Sequence, residues 1–114
     1  MTLNVGEKIH VIARRLYDGD QMRHFAGVVE ATSPSQIRVR GYTFLYDQAE
    51  NEFVRRDEER IRLFSATDAG LIINVLPPET EVVKLHYQLD EQGRRVVTDG
   101  KAVSLNVSEF GANR

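Results

Sequence analysis

The sequence predicts an all-β fold, and three observations lead to that expectation. Short runs rich in β-branched and aromatic residues recur along the chain, separated by turn residues about every eight to twelve positions. Within several of these runs apolar and polar residues alternate, which is the period of a strand rather than of a helix. The windows free of helix breakers are rich in valine, isoleucine and aromatic residues, so no long helix is predicted.

Length and composition are those of a single globular domain. The chain has 114 residues, of which 41% are hydrophobic and 28% charged, and both fractions are ordinary. It contains no cysteine, which excludes disulfides, a thiolate nucleophile and cysteine-ligated zinc. The N-terminal residues lack the pattern of a secretory signal, and the longest apolar stretch, residues 70–76, is too short to span a bilayer. We therefore expect one cytoplasmic domain over residues 1–114, without a membrane partner.

The first part of the chain, residues 5–76, is predicted to form six strands. They cover residues 8–17, 23–32, 36–46, 53–56, 60–65 and 71–76. The turn Asp18-Gly19-Asp20 joins the first two into a hairpin, and Pro34 ends the second because proline cannot donate to a strand ladder. Gly41 interrupts the third strand. An isolated glycine there indicates a bulge or a sharp bend of the kind that lets a small sheet curl into a barrel.

A second part, residues 80–110, follows the double proline at 77–78. Its pattern predicts a β-meander of three strands separated by turns at 90–93 and 99–100. The first strand carries an apolar stripe of period two, made by Val83, Leu85, Tyr87 and Leu89. Both parts are small, so we expect one shared core. The meander could pack either on its own chain or on a neighbouring subunit.

No pattern in the sequence predicts an active site or a metal centre. His10, His24 and His86 fall on three different predicted strands without the spacing of metal ligands, so we interpret them as unrelated, half-exposed imidazoles. The acidic run at 57–59 is flanked by arginines, which is typical of a solvated surface turn. No catalytic residue, metal or cofactor is therefore predicted, and the protein is not expected to be an enzyme. The enzymatic alternative is a site at a subunit interface with His24 or His86 as the base.

The feature that most favours ligand binding is the third predicted strand. Arg38, Arg40, Tyr42, Phe44 and Tyr46 occupy alternate positions and share one face if the strand is regular. Rings that stack on bases and guanidinium groups that bind phosphates are what a site for single-stranded nucleic acid needs. The alternative is structural: the rings belong to the core, and Arg38 pairs with Glu30 on the neighbouring strand. A bulge at Gly41 would also move the rings to the other face.

The first two thirds of the chain resembles the Sm-like family of small β-barrels. The resemblance rests on a strand, a short glycine turn, a second strand that reads Phe25-Ala26-Gly27-Val28-Val29-Glu30-Ala31, and a strongly bent third strand. In that family the second strand carries a phenylalanine or similar residue, then glycine and valine, and the sheet bends at glycines. The likeness covers residues 5–76, with the C-terminal meander as an addition, and it implies a ring-forming barrel. The family holds RNA with an Arg-Gly pair in a late loop, whereas Arg40-Gly41 lies in the third strand, so the family's RNA-binding residues are not carried over.

Two functions from different classes follow from these features. The first is a non-enzymatic β-barrel module that binds a partner protein or assembles as a homo-oligomer, since many short strands leave edges to be closed or paired. The second is binding of single-stranded RNA or DNA through Arg38, Arg40 and Tyr42. A net charge of −2 lacks the excess of basic residues usual in nucleic-acid-binding proteins, so we prefer the first hypothesis.

Overall fold

The computed structural model describes residues 2–14 and 22–107, and within these ranges it contains nine strands and one 3-10 helix at Val82–Lys84. The strands are β1 (Lys8–Ala13), β2 (Arg23–Thr32), β3 (Gln36–Asp47), β4 (Glu52–Arg55), β5 (Arg60–Ser65), β6 (Leu71–Val75), β7 (His86–Leu89), β8 (Arg95–Thr98) and β9 (Ser104–Asn106). The predicted all-β class is confirmed, and β2 and β5 have the predicted bounds. The predicted strand end at 15–17, the turn at 18–20 and residues 108–110 lie outside the described residues.

Six strands form a larger antiparallel sheet around the first hairpin. β1 pairs with β2 and β6, and β2 pairs with β3. β3 exchanges partners along its other side, because residues 36–41 pair with β5 and residues 44–47 pair with β4. In the described part of the chain no pairing joins β5 to β6. The larger sheet is therefore open, with β6 at one edge and β4 and β5 sharing the other. The barrel predicted from the sequence is not closed among the described residues, because β5 and β6 do not pair.

Gly27 and Gly41 face each other in the ladder between β2 and β3. A Cβ atom on Gly41 would lie 1.9 Å from the Ala26 carbonyl oxygen and 2.6 Å from the Gly27 Cα atom, so the two backbones approach too closely for any side chain. The register of β3 is continuous at Gly41, which excludes the bulge that the sequence offered as one explanation of this glycine. The register shift of the ladder lies instead between Val29 and Ala31.

The larger sheet has buried residues on both faces, because alternate residues of β1 to β3 contribute to two different apolar clusters. We call one face the inner face; its cluster consists of Ile9, Val11, Phe25, Val29, Ile37 and Val39, with Phe64 and Ile73 packed against it. The opposite or outer face carries Ile12, Ala26 and Phe44 in a second cluster. Two buried faces explain why β1 and β2 lack a simple alternation of apolar and polar residues.

The C-terminal strands β7 to β9 form a three-stranded antiparallel meander that packs on the outer face of its own chain's larger sheet. Leu85, Val97 and Val107 belong to the same cluster as the outer-face residues, so the two sheets share that core. Among the described residues there is no helix long and apolar enough to cross a membrane.

The strand predicted from the apolar stripe between Val83 and Leu89 is only partly formed. Backbone hydrogen bonds from Lys84 to Glu81 and from Leu85 to Val82 close a 3-10 turn, and β7 begins only at His86. Leu85 is buried, whereas Val83 and Leu89 are 57% and 62% exposed. The turn breaks the period of two, so the stripe does not lie on one face.

Candidate functional site

The three residues predicted to bind nucleic acid lie on one face of β3. Because the register is continuous through Gly41, Arg38, Arg40 and Tyr42 keep the same orientation, on the outer face of the larger sheet. The two arginines are exposed and Tyr42 is half-buried. The meander covers the outer face farther along β3, but it leaves the segment with the arginines open.

Glu30 forms ion pairs with both arginines of this face. The carboxylate of Glu30 accepts hydrogen bonds from Arg38 Nε at 3.3 Å and from Arg40 Nε at 2.5 Å, and Arg40 also lies 3.5 Å from Glu59. The hydrogen bond from Arg40 is the main reason that the pKa of Glu30 lies below its usual range. The structural alternative, in which Arg38 pairs with Glu30, is confirmed. A phosphate group at this place would have to compete with a carboxylate that is already bound.

The rings of β3 do not form an open stacking surface. The Arg55 guanidinium lies over the Tyr42 ring, 5.0 Å from its centroid. Phe44 is buried in the outer cluster and contacts Tyr87 edge to face at 5.2 Å. Tyr46 contacts Phe53 and the guanidinium of Arg95. These contacts are made inside the protein, as expected for aromatic residues that join two sheets.

A second group of arginines lines an open cleft where β4 and β5 separate. The cleft has a volume of about 740 Å³, and the charged residues at its wall are Arg23, Arg55, Arg56, Arg60, Arg62, Asp57 and Glu58. Five arginines against two carboxylates leave a surplus of three positive charges, in a chain whose net charge is −2. We call this feature the arginine cleft.

Three guanidinium groups of the arginine cleft have no ion pair within the described residues. Arg60 is paired with Glu58 at 2.6 Å, and Arg55 donates to the carbonyl oxygen of Val83. No salt bridge involves Arg23, Arg56 or Arg62 in the described part of the chain. Four of these arginines flank the acidic run at 57–59, which the sequence analysis interpreted as a solvated surface turn. The cleft was missed because Arg23 of β2 joins them only through the pairing of β2, β4 and β5 with β3.

A buried cluster of two histidines and a tyrosine lies between the two sheets. The Tyr87 hydroxyl is 2.7 Å from His10 Nε2 and 2.7 Å from His24 Nδ1. The imidazole rings are 5.1 Å apart, edge to face. The Phe53 ring stacks on the rings of both His24 and Tyr87, with centroid distances of 4.3 Å and 4.5 Å. The interpretation of His10 and His24 as unrelated, half-exposed residues was wrong.

Hydrogen-bond capacity assigns the protons in this cluster. One tyrosine hydroxyl can donate to only one imidazole, so it must accept an N–H from the other. His10 Nδ1 is buried without a partner, and an unpaired N–H there would be more unusual than an unpaired acceptor. His10 therefore donates from Nε2 to Tyr87, and Tyr87 donates to His24 Nδ1. Both imidazoles are neutral in this arrangement.

The same burial changes the acid–base properties of the three groups. Burial lowers the pKa of His10 to about 4, and burial together with the nearby His10 and Arg95 lowers the pKa of His24 to about 3. Burial raises the pKa of Tyr87 well above its usual value. The groups thus stay uncharged at neutral pH, as expected for a cluster that joins two packed sheets.

The register of the first hairpin contains the signal that sequence reasoning overlooked. His10 pairs with Ala26 and His24 pairs with Ile12, so the histidines are diagonal neighbours on one face. His86 is separate and exposed, with its ring nitrogens near the Lys84 carbonyl oxygen and Gln88 Oε1.

Within residues 2–14 and 22–107, no three His, Asp or Glu side chains are placed to hold a metal ion. Comparisons of the chain with protein-family models, with curated proteins and with solved structures found no match.

Proposed function

We propose that the protein is a non-enzymatic β-domain that assembles with copies of itself through the edges of its larger sheet. The observation that carries the proposal is that, among the described strands, β5 and β6 each pair with one strand only and expose apolar side chains. Unpaired edges with apolar residues are ready to add a strand from another chain, and natural domains usually block them with charges, proline or bulges.

The β6 edge has none of these protections. Its sequence, Leu71-Ile72-Ile73-Asn74-Val75, contains no charged residue and no proline. Ile72 and Val75 are exposed, while Ile73 packs against the inner cluster. An uncharged strand of this kind, left free at a sheet edge, favours pairing with a second chain.

The β5 edge presents a complementary strand. Leu63 is 58% exposed and Ile61 is also exposed, and both lie on the outer face opposite Arg38 and Arg40 of β3. β5 and β6 differ in sequence, so pairing β5 of one chain with β6 of the next gives a head-to-tail contact. Contacts of this type close into a ring when the rotation between subunits permits it.

The resemblance to the Sm-like family supports the same proposal. The close Gly27–Gly41 pair is the kind of glycine position at which sheets of that family bend. The exchange of partners along β3, from β5 to β4 next to Gly41, agrees with a strand that changes direction there. A ring built from copies of this open, bent sheet over residues 5–76, with the meander outside the sheet, is accordingly the architecture that we propose.

Charge substitutions on the two edges test the proposal. Ile72→Lys and Leu63→Lys each place an ammonium group where the next subunit would pair. Each is expected to shift the native mass, measured by light scattering, toward 13.0 kDa. Val83→Lys is the matched control, because Val83 is as exposed as Leu63 and more exposed than Ile72 but lies outside both edge strands. An assembly that survives both edge substitutions, or is lost in the control, would refute pairing through these edges.

The second candidate function is binding of single-stranded RNA or DNA through Arg38, Arg40 and Tyr42. The observation in its favour is that the three residues share one face and that the two arginine side chains are about half exposed. The pairing of both with Glu30 reduces their availability. Salt-dependent binding of an oligonucleotide that is lost in Arg38→Ala/Arg40→Ala would support this function, and affinity that does not change would exclude it.

A further inference from the structure

The inner face of the larger sheet opens at one end into a cavity that adjoins the arginine cleft. The cavity has a volume of about 150 Å³, and its walls include Arg23, Thr43 and Arg62, which also line the cleft. We propose that the cavity and the cleft together form a binding site for a small oxyanion carried on a flat apolar body, such as an aryl phosphate or an aryl carboxylate.

The walls of the cavity fit the apolar part of such a ligand. Val11, Phe25 and Phe64 line it, and the two phenylalanine rings lie 5.6 Å apart. An apolar cavity of about 150 Å³ accommodates a body the size of benzene. Pockets for small molecules commonly combine an apolar interior with a few polar groups at the entrance.

The arginines at the entrance fit the oxyanion. Arg23 and Arg62 have no ion pair within the described residues, and the planar guanidinium group matches the geometry of carboxylates and phosphates. Arg23 lies on β2, which is paired on both sides, so it has no role at a sheet edge. Arg62 of β5 lines the same cleft.

Thr43 gives independent support for a ligand at this place. Thr43 is only 5% exposed, and its hydroxyl oxygen has no hydrogen-bond partner among the described residues. Buried polar groups are nearly always paired, so an unpaired hydroxyl that borders both the cavity and the cleft indicates a missing partner. An oxygen of the oxyanion, held by the arginines, would be that partner.

Titration of the full chain with phenyl phosphate and with benzoate, followed by NMR chemical shifts, tests the proposal. Inorganic phosphate and phenol, the two halves of phenyl phosphate, are titrated as controls. Tighter binding of phenyl phosphate or of benzoate identifies which oxyanion the site prefers. At least one aryl anion is expected to bind about tenfold more tightly than either half, because its two parts contact different walls. Arg23→Ala and Arg62→Ala should each weaken binding about tenfold, the loss of one charge-assisted hydrogen-bonding partner.

Two further variants separate the site from general effects of charge and folding. Thr43→Val keeps the shape of the side chain and removes the hydroxyl, so it should weaken binding about threefold while the protein remains folded. Arg94→Ala, in the exposed turn between β7 and β8, should bind as the wild type does. Equal affinity for an aryl anion and for one of its halves, or identical losses in Arg23→Ala and Arg94→Ala, would overturn the proposal. Because the site lies within one chain, a monomeric protein that binds the probe would refute the assembly and leave the site standing.

Discussion

Tyr87 and His24 join the two sheets of the protein through a hydrogen bond of 2.7 Å between the tyrosine hydroxyl and His24 Nδ1. His24 belongs to β2 of the larger sheet and Tyr87 to β7 of the meander. The same hydroxyl reaches His10 on β1, and Phe53 on β4 stacks on both His24 and Tyr87. The cluster therefore connects three strands of one sheet to the first strand of the other, and its hydrogen bonds contribute to the stability of the whole fold.

Removing the hydroxyl of Tyr87 tests this role. Tyr87→Phe leaves His10 Nε2 and His24 Nδ1 without their partner, and an unpaired buried polar group costs about 1–3 kcal/mol. We expect the free energy of unfolding in urea to fall by about this amount. Tyr42→Phe is the control and should change it by less than about 0.5 kcal/mol, because the Tyr42 hydroxyl has no hydrogen bond involving the described residues. Equal stabilities of the two variants would contradict the role of the cluster.

The lowered pKa values of His10 and His24 predict a loss of stability in mild acid. An unfolded chain binds protons at these residues near pH 6.5, whereas the folded protein binds them only near pH 4 and pH 3. The stabilising effect is complete above about pH 6.5 and decreases as the pH falls toward those values, by about 1.4 kcal/mol per pH unit for each histidine. Urea unfolding between pH 7 and pH 4 measures this slope.

The control for the pH prediction is His86→Gln. His86 is exposed, so this variant should keep the slope of the wild type. Replacing His10 by glutamine should reduce the slope, since one of the two buried imidazoles is then absent. A wild-type protein whose stability is constant between pH 7 and pH 4.5 would contradict the burial of the pair.

Because Gly27 and Gly41 face each other, we expect Gly41→Ala to destabilise the protein more than Gly93→Ala does. Gly41→Ala places a Cβ atom against backbone atoms of Ala26 and Gly27, and neither can move without shifting a central strand. We expect a loss of at least about 3 kcal/mol, at or above the upper end for overpacked cores. Gly93→Ala meets no neighbouring atom and is strained only by its positive φ of 77°, which costs about 1–2 kcal/mol. Thermal unfolding would contradict the close approach if Gly41→Ala were the milder change.

Asp99 fixes the turn between β8 and β9 and the start of the 3-10 turn. Its carboxylate accepts hydrogen bonds from the backbone N–H groups of Glu81 at 2.9 Å, Lys101 at 2.9 Å, Ala102 at 2.8 Å and Val103 at 3.2 Å. These hydrogen bonds hold the pKa of Asp99 far below its usual range, and the bond from the Glu81 N–H group has the largest effect. The stabilisation is present above about pH 4 and is lost as the pH falls further.

Asp99→Asn should therefore lower the midpoint of urea unfolding at pH 7, because an amide has one accepting oxygen where the carboxylate has two. Asp57→Asn, in an exposed turn without side-chain hydrogen bonds among the described residues, is the matched control and should leave the midpoint unchanged. Equal midpoints for Asp99→Asn and Asp57→Asn would contradict the stabilising role of the Asp99 carboxylate.

The local sequence pattern was sufficient to predict most strands, but it predicted little of the candidate functional site. The bounds of β2 and β5 follow from turn residues and from alternation, which act over a few positions. The 3-10 turn at Val82–Lys84 could not be predicted, because Asp99, 18 residues away, binds the N–H group of Glu81. The pairing of Arg38 with Glu30 was foreseen as an alternative, since it needs only the neighbouring strand. The Tyr87 cluster depends on contacts between distant strands, which no local period records. The arginine cleft combines the local run at residues 55–62 with Arg23 of β2, and only that last contact is long-range.

Assembly through the edges of the larger sheet is the central claim, and the native mass of the unmodified chain tests it most directly. Light scattering on a sizing column, repeated over a range of protein concentrations, measures that mass without a label or a substitution. We predict a discrete multiple of 13.0 kDa that persists on dilution. A mass of 13.0 kDa at every concentration would contradict the claim and leave the protein as a monomeric binding domain.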